Sequence, residues 1–236
     1  MAEAADVVLM IAETVRFDPL LGRAVELVRS GAIGPPPLVQ ITRQAYLRTS
    51  FLAERRWFLD RELAAGGIML SGGIHDFDIL RMLIGEPDSV YAVRVRQRFV
   101  EMEGDDTSVA IVRFPNGVVA TLVESFLMKT LTTAAGSEEH TLRVDGELGS
   151  LCVEAGRHAI RLFSEAPEYQ LPHATTAHQL RVPDADPFER EVRHFLGCIQ
   201  DKVEPITSGR SQRRTLELVL AAYASMDSGA AVAVGQ

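Results

Sequence analysis

AAGGIMLSGGIHDFDILRMLIG, residues 64–85, is the stretch in which the chain concentrates its chemistry. From Ile68 onward the pattern predicts a helix that ends at Gly85, because glycine suits the left-handed turn that closes helices. Nearly every other side chain in the stretch is apolar, which indicates a buried helix. At about 100° per residue, Ser71, His75 and Asp78 lie on one narrow polar stripe. We expect this stripe to face a cleft or to pair internally.

Four glycines, at positions 66, 67, 72 and 73, precede or interrupt this helix. Each costs about 1 kcal/mol relative to alanine inside a helix. Their presence therefore indicates that another backbone, or a ligand, approaches closely. A phosphate-binding loop is a weaker alternative, because the stretch lacks the Lys-Ser/Thr ending of a P-loop and has no G-x-G-x-x-G order.

His75 admits two interpretations. A single histidine in an apolar helix is more often a satisfied core residue than a catalyst, because buried polar groups usually find partners. Alternatively, His75 is a general base, since imidazole titrates near neutral pH. The residue pattern alone favours the first interpretation and leaves the second open.

Composition sets the broad class of the protein. The 236 residues fit one large or two small domains, and the net charge of −8 argues against nucleic acid and anionic membrane surfaces as partners. No apolar run is long enough to span a membrane, and no signal peptide opens the chain. Cys152 and Cys198 are predicted to be reduced core residues of a cytoplasmic protein. His173 and His178 are five residues apart, a poor spacing for ligands, so we expect no metal site.

The chain before the central helix predicts a mixture of elements. Residues 5–12 form a continuous apolar run, typical of a strand buried on both faces in a parallel sheet, yet no matching strand follows. A helix is predicted from Pro19 to Ser30, and Leu38–Arg48 alternates as a strand. Trp57, the only tryptophan, lies beside two arginines in an irregular segment and is either part of a polar ligand site or a packing anchor.

The chain after the central helix is rich in strand signals. The flanks of Asn116-Gly117 form the clearest hairpin pattern, and further strands are predicted up to residue 163. Two helices, 188–202 and 210–226, close the chain. The predicted fold is α+β: a large mixed, mostly antiparallel sheet of about six strands, with helices on one face. Residues 118–128 carry apolar side chains on both faces, so we expect the open face to be covered by a second subunit.

Several motifs together resemble the glucose–fructose oxidoreductase / inositol dehydrogenase / rhizopine-catabolism (Gfo/Idh/MocA) family. The motifs, in chain order, are Val15-Arg16-Phe17-Asp18-Pro19, Ser30-Gly31-Ala32-Ile33-Gly34, the Gly66–Asp78 stretch, Phe114-Pro115-Asn116-Gly117, Asp145-Gly146-Glu147-Leu148-Gly149 and the closing pair of helices. No single motif is decisive, but their order is specific and covers nearly the whole chain. The resemblance implies a sugar or polyol substrate domain that also builds a homo-oligomer through its open sheet. In such enzymes NAD or NADP is bound by a separate Rossmann domain.

The resemblance also implies roles for particular residues. His75 is the expected catalytic base, and Ser71 stands where an assisting residue, often Asp, precedes it by four positions. Serine can orient an imidazole but cannot hold a negative charge beside it. We assign Trp57, Tyr46, Asp78 and Arg16 to substrate binding.

Two family features have no counterpart in the sequence. The dinucleotide fingerprint is missing, and neither Lys129 nor Lys202 matches the catalytic lysine of the Glu-Lys-Pro motif. Residues 1–16 are therefore expected to be a remnant of a truncated dinucleotide-binding domain, and residues 17–236 the substrate and oligomerisation domain. The chain by itself is expected to be inactive and to bind NAD or NADP weakly, with a separate nucleotide-binding domain as a partner. A non-catalytic sugar-binding or oligomerisation module is the alternative function.

Overall fold

A nine-stranded sheet forms the body of the protein in the computed structural model, which describes residues 2–129, 138–154, 158–169 and 177–235. The described strands are β1 Leu38–Ala45, β2 Ser89–Arg94, β3 Thr107–Arg113, β4 Val119–Ser125, β5 Glu138–Gly146, β6 Gly149–Glu154, β7 Ala159–Ser164, β8 His178–Arg181 and β9 Val232–Ala233. The described α-helices are α1 Pro19–Arg29, α2 Arg48–Glu54, α3 Arg61–Ala64, α4 Ile68–Ser71, α5 Gly73–Leu83, α6 Pro187–Asp201 and α7 Gly209–Ser228.

The sheet is mixed but mostly antiparallel. Its strand order is β8-β7-β6-β5-β1-β4-β3-β2-β9. β1 runs parallel to β4, and every other described pair of neighbours is antiparallel. The predicted α+β class with an open mixed sheet is confirmed, although nine strands replace the expected six or so. β8, with four residues, lies after residue 163, where the predicted strands end, because so short a strand shows little alternation.

The Asn116-Gly117 hairpin is confirmed. β3 and β4 pair antiparallel on either side of it, from Arg113 opposite Val119 to Thr107 opposite Ser125. Gly117 has φ of +86°, a conformation that glycine adopts without strain.

The main core lies between one face of the sheet and three helices. α7 packs against β2, α5 against β4, and α1 against β6 and β7. Side chains such as Leu27, Phe77, Leu122 and Val219 are buried there. The opposite face of the sheet carries no helix of the described chain, and Tyr91, Val93 and Ile111 are exposed on it.

The expected buried strand at residues 5–12 is wrong. Glu3–Ala5 is a short 3-10 helix, and the residues after it are extended but make only one bridge, between Met10 and Ser208. Val7, Leu9 and Ile11 are exposed. An apolar pattern of this kind is typical of a strand that has neighbouring strands to cover it. No strand of the described residues runs along this segment, so its side chains stay exposed.

No helix within the described ranges is long and apolar enough to cross a membrane. Cys152 and Cys198 are free thiols, and Cys198 is buried. His173, one of the two histidines weighed as metal ligands, lies outside the described residues.

Candidate functional site

The predicted central helix is present, with an interruption at Gly72. α4 ends at Ser71 and α5 begins at Gly73, while the backbone N–H of His75 donates to the carbonyl of Gly72 at 3.1 Å. Gly85 follows the end of α5 with φ of +112°, in the left-handed region. The helix therefore ends where the sequence predicted, within two residues.

The glycines before the helix do mark a close approach. A Cβ on Gly67 would lie 2.1 Å from the backbone oxygen of Asp105, closer than any real contact. The carbonyl of Asp105 also accepts a hydrogen bond from the N–H of Ile68 at 2.8 Å, which fixes the start of α4. At Gly67 the approaching group is thus another backbone of the same chain.

His75 is paired with a buried carboxylate. Its Nδ1 lies 2.7 Å from Oε1 of Glu13, and Glu13 is almost fully buried, whereas the His75 side chain is 37% exposed. Glu13 directly precedes the 3-10 helix Thr14–Phe17, which packs against α5 and presents the carboxylate to the ring. The hydrogen bond to Glu13 raises the pKa of His75 above its ordinary value of 6.5.

This geometry defines the chemistry that His75 can perform. A carboxylate only accepts hydrogen bonds, so Nδ1 carries the proton and donates it to Glu13. Nε2 is then the ring nitrogen left to take a proton from a neighbouring molecule. Glu13 was not among the predicted site residues, because it directly follows the apolar run 5–12 that was interpreted as a strand.

Ser71 hydrogen-bonds within its own helix. Its hydroxyl donates to the carbonyl of Gly67 at 3.0 Å, a common arrangement for serine inside a helix. It lies one turn before His75, as predicted. The acidic partner of the imidazole in the structure is Glu13.

Asp78 and Arg16, both assigned to substrate binding, bind each other. Nε and Nη2 of Arg16 lie 2.6 and 2.8 Å from the two oxygens of Asp78, which is fully buried. Arg81 and Thr215 add contacts of 3.2 and 2.8 Å to the same carboxylate. Burial opposes ionisation of Asp78, but the bonds from Arg16 and Thr215 outweigh it and lower its pKa. The pair ties the Thr14–Phe17 helix to α5.

Of the two aromatic residues assigned to substrate binding, Tyr46 directly follows β1 and Trp57 lies in the short 3-10 helix Arg56–Leu59. Tyr46 pairs with Leu127 by a single bridge, and the Lys129 ammonium lies 5.2 Å from the centre of its ring. Trp57 is more than half exposed and packs at 5.0 Å against Phe58. Within the described residues, their ring contacts are with these neighbours and not with His75.

A second polar cluster lies directly beneath the start of α5. Arg43 bonds Asp76 through Nε and Nη2, at 2.9 and 2.8 Å, and Nε2 of His140 lies 2.9 Å from the same carboxylate. In the sheet register Arg43 lies between Glu124 of β4 and His140 of β5, all on the face that carries the helices. Arg43 also contacts Glu138. Asp76 thus contacts a row of ionisable side chains that crosses three strands.

The two buried acids of this cluster differ in charge. Burial opposes the ionisation of Asp76, but Arg43 and His140 outweigh it and hold its pKa well below the usual range. Burial raises the pKa of Glu124 well above 4.5, and the charge of Asp76 adds to this effect. Neither carboxyl oxygen of Glu124 has a hydrogen-bond partner among the described residues, and Nε of Arg43 lies 3.9 Å away. Burial and the neighbouring Asp76 charge therefore favour the protonated, neutral form of Glu124.

A dinucleotide site of the G-x-G-x-x-G type has no counterpart in the described residues. Such a site needs a glycine turn between a parallel strand and a helix that points at the phosphates. β1 and β4 are the parallel pair of the described sheet, and β1 runs through Tyr46 and Leu47 into α2 without a glycine. In the same residues no group of three or more His, Cys, Asp or Glu side chains could hold a metal ion.

A model of the GFO/IDH/MocA C-terminal domain matches residues 22–152, which is more than half of the chain. The chain belongs to the Gfo/Idh/MocA family. Among characterised relatives, it is 28% identical to the D-apiose dehydrogenase of Paraburkholderia graminis, over 98% of this chain and 60% of that protein. It is 25% identical to the myo-inositol 2-dehydrogenase of Thermotoga maritima, over 94% of this chain and 63% of that protein.

Solved structures of oxidoreductases share the fold. The aldose-aldose oxidoreductase of Caulobacter crescentus, complexed with glycerol, superposes with a TM-score of 0.81 at 25% identity, over 98% of this chain and 65% of that one. Levoglucosan dehydrogenase, in complex with NADH and levoglucosan, superposes with a TM-score of 0.84 at 17% identity, over 99% of this chain and 68% of that one. The 236 residues span about three fifths of the length of the curated relatives they match.

Proposed function

We propose that this chain is the substrate domain of an NAD(P)-dependent oxidoreductase that oxidises a CH–OH group of a sugar or polyol. The observation that carries this proposal is the His75–Glu13 pair, a partly exposed imidazole held by a buried carboxylate. The characterised relatives named above are dehydrogenases of D-apiose and myo-inositol, which supports a polyhydroxylated substrate.

In the proposed reaction His75 is the general base. Nε2 takes the hydroxyl proton of the substrate, and the Glu13 carboxylate stabilises the resulting imidazolium through Nδ1–H. Glu13 supplies the negative charge that Ser71 cannot supply. Arg16 and Asp78 hold the Thr14–Phe17 helix against α5, so they act by positioning Glu13 against His75. Tyr46 and Trp57 offer the ring surfaces proposed to contact the sugar.

NAD or NADP would accept the hydride from the carbon that bears this hydroxyl group. Because the described residues do not form a dinucleotide site, the proposal requires a nucleotide-binding domain beyond these 236 residues. The isolated chain is accordingly proposed to bind NAD(P) weakly and to be inactive without that domain. The proposal also includes a cytoplasmic location, consistent with two free thiols, and a homo-oligomer built on the open face of the sheet.

The substrate part of the proposal can be tested without any cofactor. The chain is titrated with D-apiose, D-xylose and myo-inositol while the imidazole resonances of His75 are followed by NMR. Additions of buffer alone and of sodium chloride are the controls. We expect at least one of the polyols to shift the His75 resonances and to protect them from line broadening by a soluble paramagnet. Binding that leaves His75 unaffected would favour the non-catalytic sugar-binding module, and no binding of any polyol would contradict both functions.

A further inference from the structure

The structure contains a basic cleft that has no role in the proposed reaction. The cleft, of about 540 Å³, opens between α1, the edge strand β8 and the first turn of α6. Its described lining includes one arginine from each of these elements: Arg23 from α1, Arg181 from β8 and Arg190 from α6. Glu26 is the acidic residue among the described residues that line it, so the cleft has a net charge of +2 in a chain whose net charge is −8. The cleft is therefore basic in an acidic protein.

Two of the three arginines have no side-chain partner in the described part of the chain. Arg181 and Arg190 are exposed, and neither guanidinium makes a hydrogen bond or an ion pair with another described residue. Nη1 of Arg23 lies 2.8 Å from Glu26, in an exposed pair of the kind that contributes little to stability. A guanidinium carries five N–H donors. The cleft therefore offers unused donors from two of its walls.

The acidic residues beside Arg190 are occupied by other groups. The carboxylate of Asp186 caps α6 by accepting the N–H of Phe188 at 2.9 Å. Glu189 accepts a hydrogen bond from Arg193 at 2.6 Å, one turn further along the helix. Neither acid is among the described residues that line the cleft. The Arg190 guanidinium therefore stays available to a ligand in the cleft.

A glycine of α1 keeps the cleft open. Gly22 lines it, and a Cβ added there would meet no atom within 4 Å. Glycine destabilises a helix interior relative to alanine, and Gly22 has no positive φ that would require it. The carboxylate of Asp18 accepts the N–H groups of Leu20 and Leu21, so the end of α1 is already capped. Recognition of a ligand in this open space therefore falls to the arginine side chains.

We propose that this cleft binds the phosphate group of a small phosphorylated ligand. A phosphate monoester has a charge of about −1.5 to −2 at pH 7 and three strong acceptor oxygens. Its charge matches the net +2 of the cleft, and its three oxygens match arginines on three separate elements. A carboxylate offers two oxygens, which the fork of one guanidinium satisfies. The described lining includes none of the residues assigned to the proposed reaction, so this is a second site with its own ligand.

The test is an NMR titration of the whole chain with inorganic phosphate, D-ribose 5-phosphate and D-ribose. The backbone amide of Gly22 and the Nε–H of Arg190 are the reporters. We expect both phosphates, and not D-ribose, to shift these resonances with a Kd of about 1 mM or lower, the range of a few charge-assisted hydrogen bonds at a surface. Equal Kd values for the two would identify inorganic phosphate as the ligand, and tighter binding of the ester would identify a phosphorylated sugar.

Substitutions locate the binding. Arg190→Gln should raise the Kd for phosphate at least about 10-fold, because it removes a charged donor. Arg193→Gln makes the same change of charge on the same helix but outside the described lining, so it is the matched control and should change the Kd less than about 2-fold. Gly22→Met should abolish binding without lowering the midpoint of thermal unfolding, since its side chain enters open space in the cleft. The Gly22 amide reports on the arginine variants, and the Arg190 Nε–H reports on Gly22→Met.

Four outcomes overturn the proposal. The first is no saturable shift with either phosphate up to about 20 mM, and the second is acetate binding as tightly as phosphate. The third is equal weakening by Arg190→Gln and Arg193→Gln, which would show only the attraction of a general positive field. The fourth is unimpaired binding in Gly22→Met, which would place the phosphate elsewhere. The sugar titration of His75 concerns a different site, so its result neither supports nor contradicts this one.

Discussion

Nδ1 of His75 lies 2.7 Å from Oε1 of Glu13, and the two residues are 62 positions apart in the chain. The contact joins the segment before α1 to the start of α5, so it forms only when both are folded. It also determines which ring nitrogen is free, because the carboxylate fixes the proton on Nδ1. The candidate site therefore depends on a residue from outside the central helix.

Glu13→Gln should lower the pKa of His75. The hydrogen bond to Glu13 is the main cause that raises this pKa above 6.5, and without it burial and the nearby Arg43 charge both favour the neutral ring. The measurement is an NMR pH titration of the His75 ring, with assignment by the His75→Asn variant. Glu26→Gln, at an exposed glutamate, is the control and should leave the titration unchanged. A His75 pKa that is unchanged in Glu13→Gln would contradict the pairing.

The same pair predicts a pH dependence of stability. A histidine whose pKa is raised by folding contributes stability that is fully present below pH 6.5, its unfolded value. That contribution is lost as the pH rises through the pKa of the folded state. The difference in unfolding free energy between the native chain and Glu13→Gln should therefore be largest below pH 6.5 and should shrink at higher pH.

Asp76→Asn should destabilise the protein by about 3–5 kcal/mol, the usual cost of removing one partner of a buried ion pair. Asp76 is fully buried between Arg43 and His140, so the substitution removes the buried countercharge of Arg43 and leaves that guanidinium only the contact with the half-exposed Glu138. Asp227→Asn is the matched control, because Asp227 pairs with Arg94 at the surface and such pairs are worth about 0–1 kcal/mol. Urea unfolding at pH 7 measures both. Equal losses in the two variants would show that burial of Asp76 carries no special cost.

Gly67→Ala and Gly22→Ala should have opposite effects. A Cβ on Gly67 would lie 2.1 Å from a backbone oxygen that cannot move without disturbing α4, so we expect a loss of at least about 1–3 kcal/mol. Gly22 lies inside α1 with no atom within 4 Å of its added Cβ. Alanine there should stabilise the protein by about 0.5–1 kcal/mol, because it reduces the entropy of the unfolded chain. Thermal unfolding of the two variants checks the signs, and a neutral Gly67→Ala would contradict the close approach at that residue.

Local sequence patterns predicted an element well where the contacts that form it come from residues nearby in the chain. The hairpin at Asn116-Gly117 and the end of α7 at Gly229, where φ is +68°, depend on turn residues that only glycine suits. The stripe of His75 and Asp78 is real, but periodicity cannot tell which polar side chains on other elements will meet it. Asp78 meets Arg16, and His75 meets Glu13.

The rest of the site depends on contacts that are distant in sequence. Arg43 shares one side of β1 with Val39 and Ile41 by strand alternation, and a charged residue on an apolar face is a signal that a buried partner exists. The partner, Asp76, is 33 residues away and could not be identified without the packing of α5 on the sheet. Residues 7–12 were predicted to be a buried strand from their apolar composition alone, and the strand was wrong because no strand of the described residues pairs along them.

Glu124→Gln should make the protein more stable above pH 4.5, with a gain that grows as the pH rises. Glu124 is fully buried and its oxygens have no hydrogen-bond partner in the described part of the chain. Burial raises its pKa well above 4.5, and the Asp76 charge raises it further. Above pH 4.5 the unfolded chain releases the proton while the folded chain keeps it, so stability falls with rising pH until the folded pKa is reached.

Glutamine has nearly the shape of the protonated acid and does not titrate, so it removes this penalty. The groups that face Glu124 are Asp76 from α5, Arg43 from β1, Ser108 from β3 and the charge of Glu138 from β5, and the substitution leaves all four in place. Urea unfolding at pH 4.5 and pH 8 measures the gain, with Glu217→Gln at the surface of α7 as the control. Difference infrared spectra recorded at increasing pH from 4.5 should show the carbonyl stretch of a protonated carboxylic acid that is absent from Glu124→Gln. If Glu124 is ionised in the folded protein, the band will be missing and Glu124→Gln will gain no stability as the pH rises.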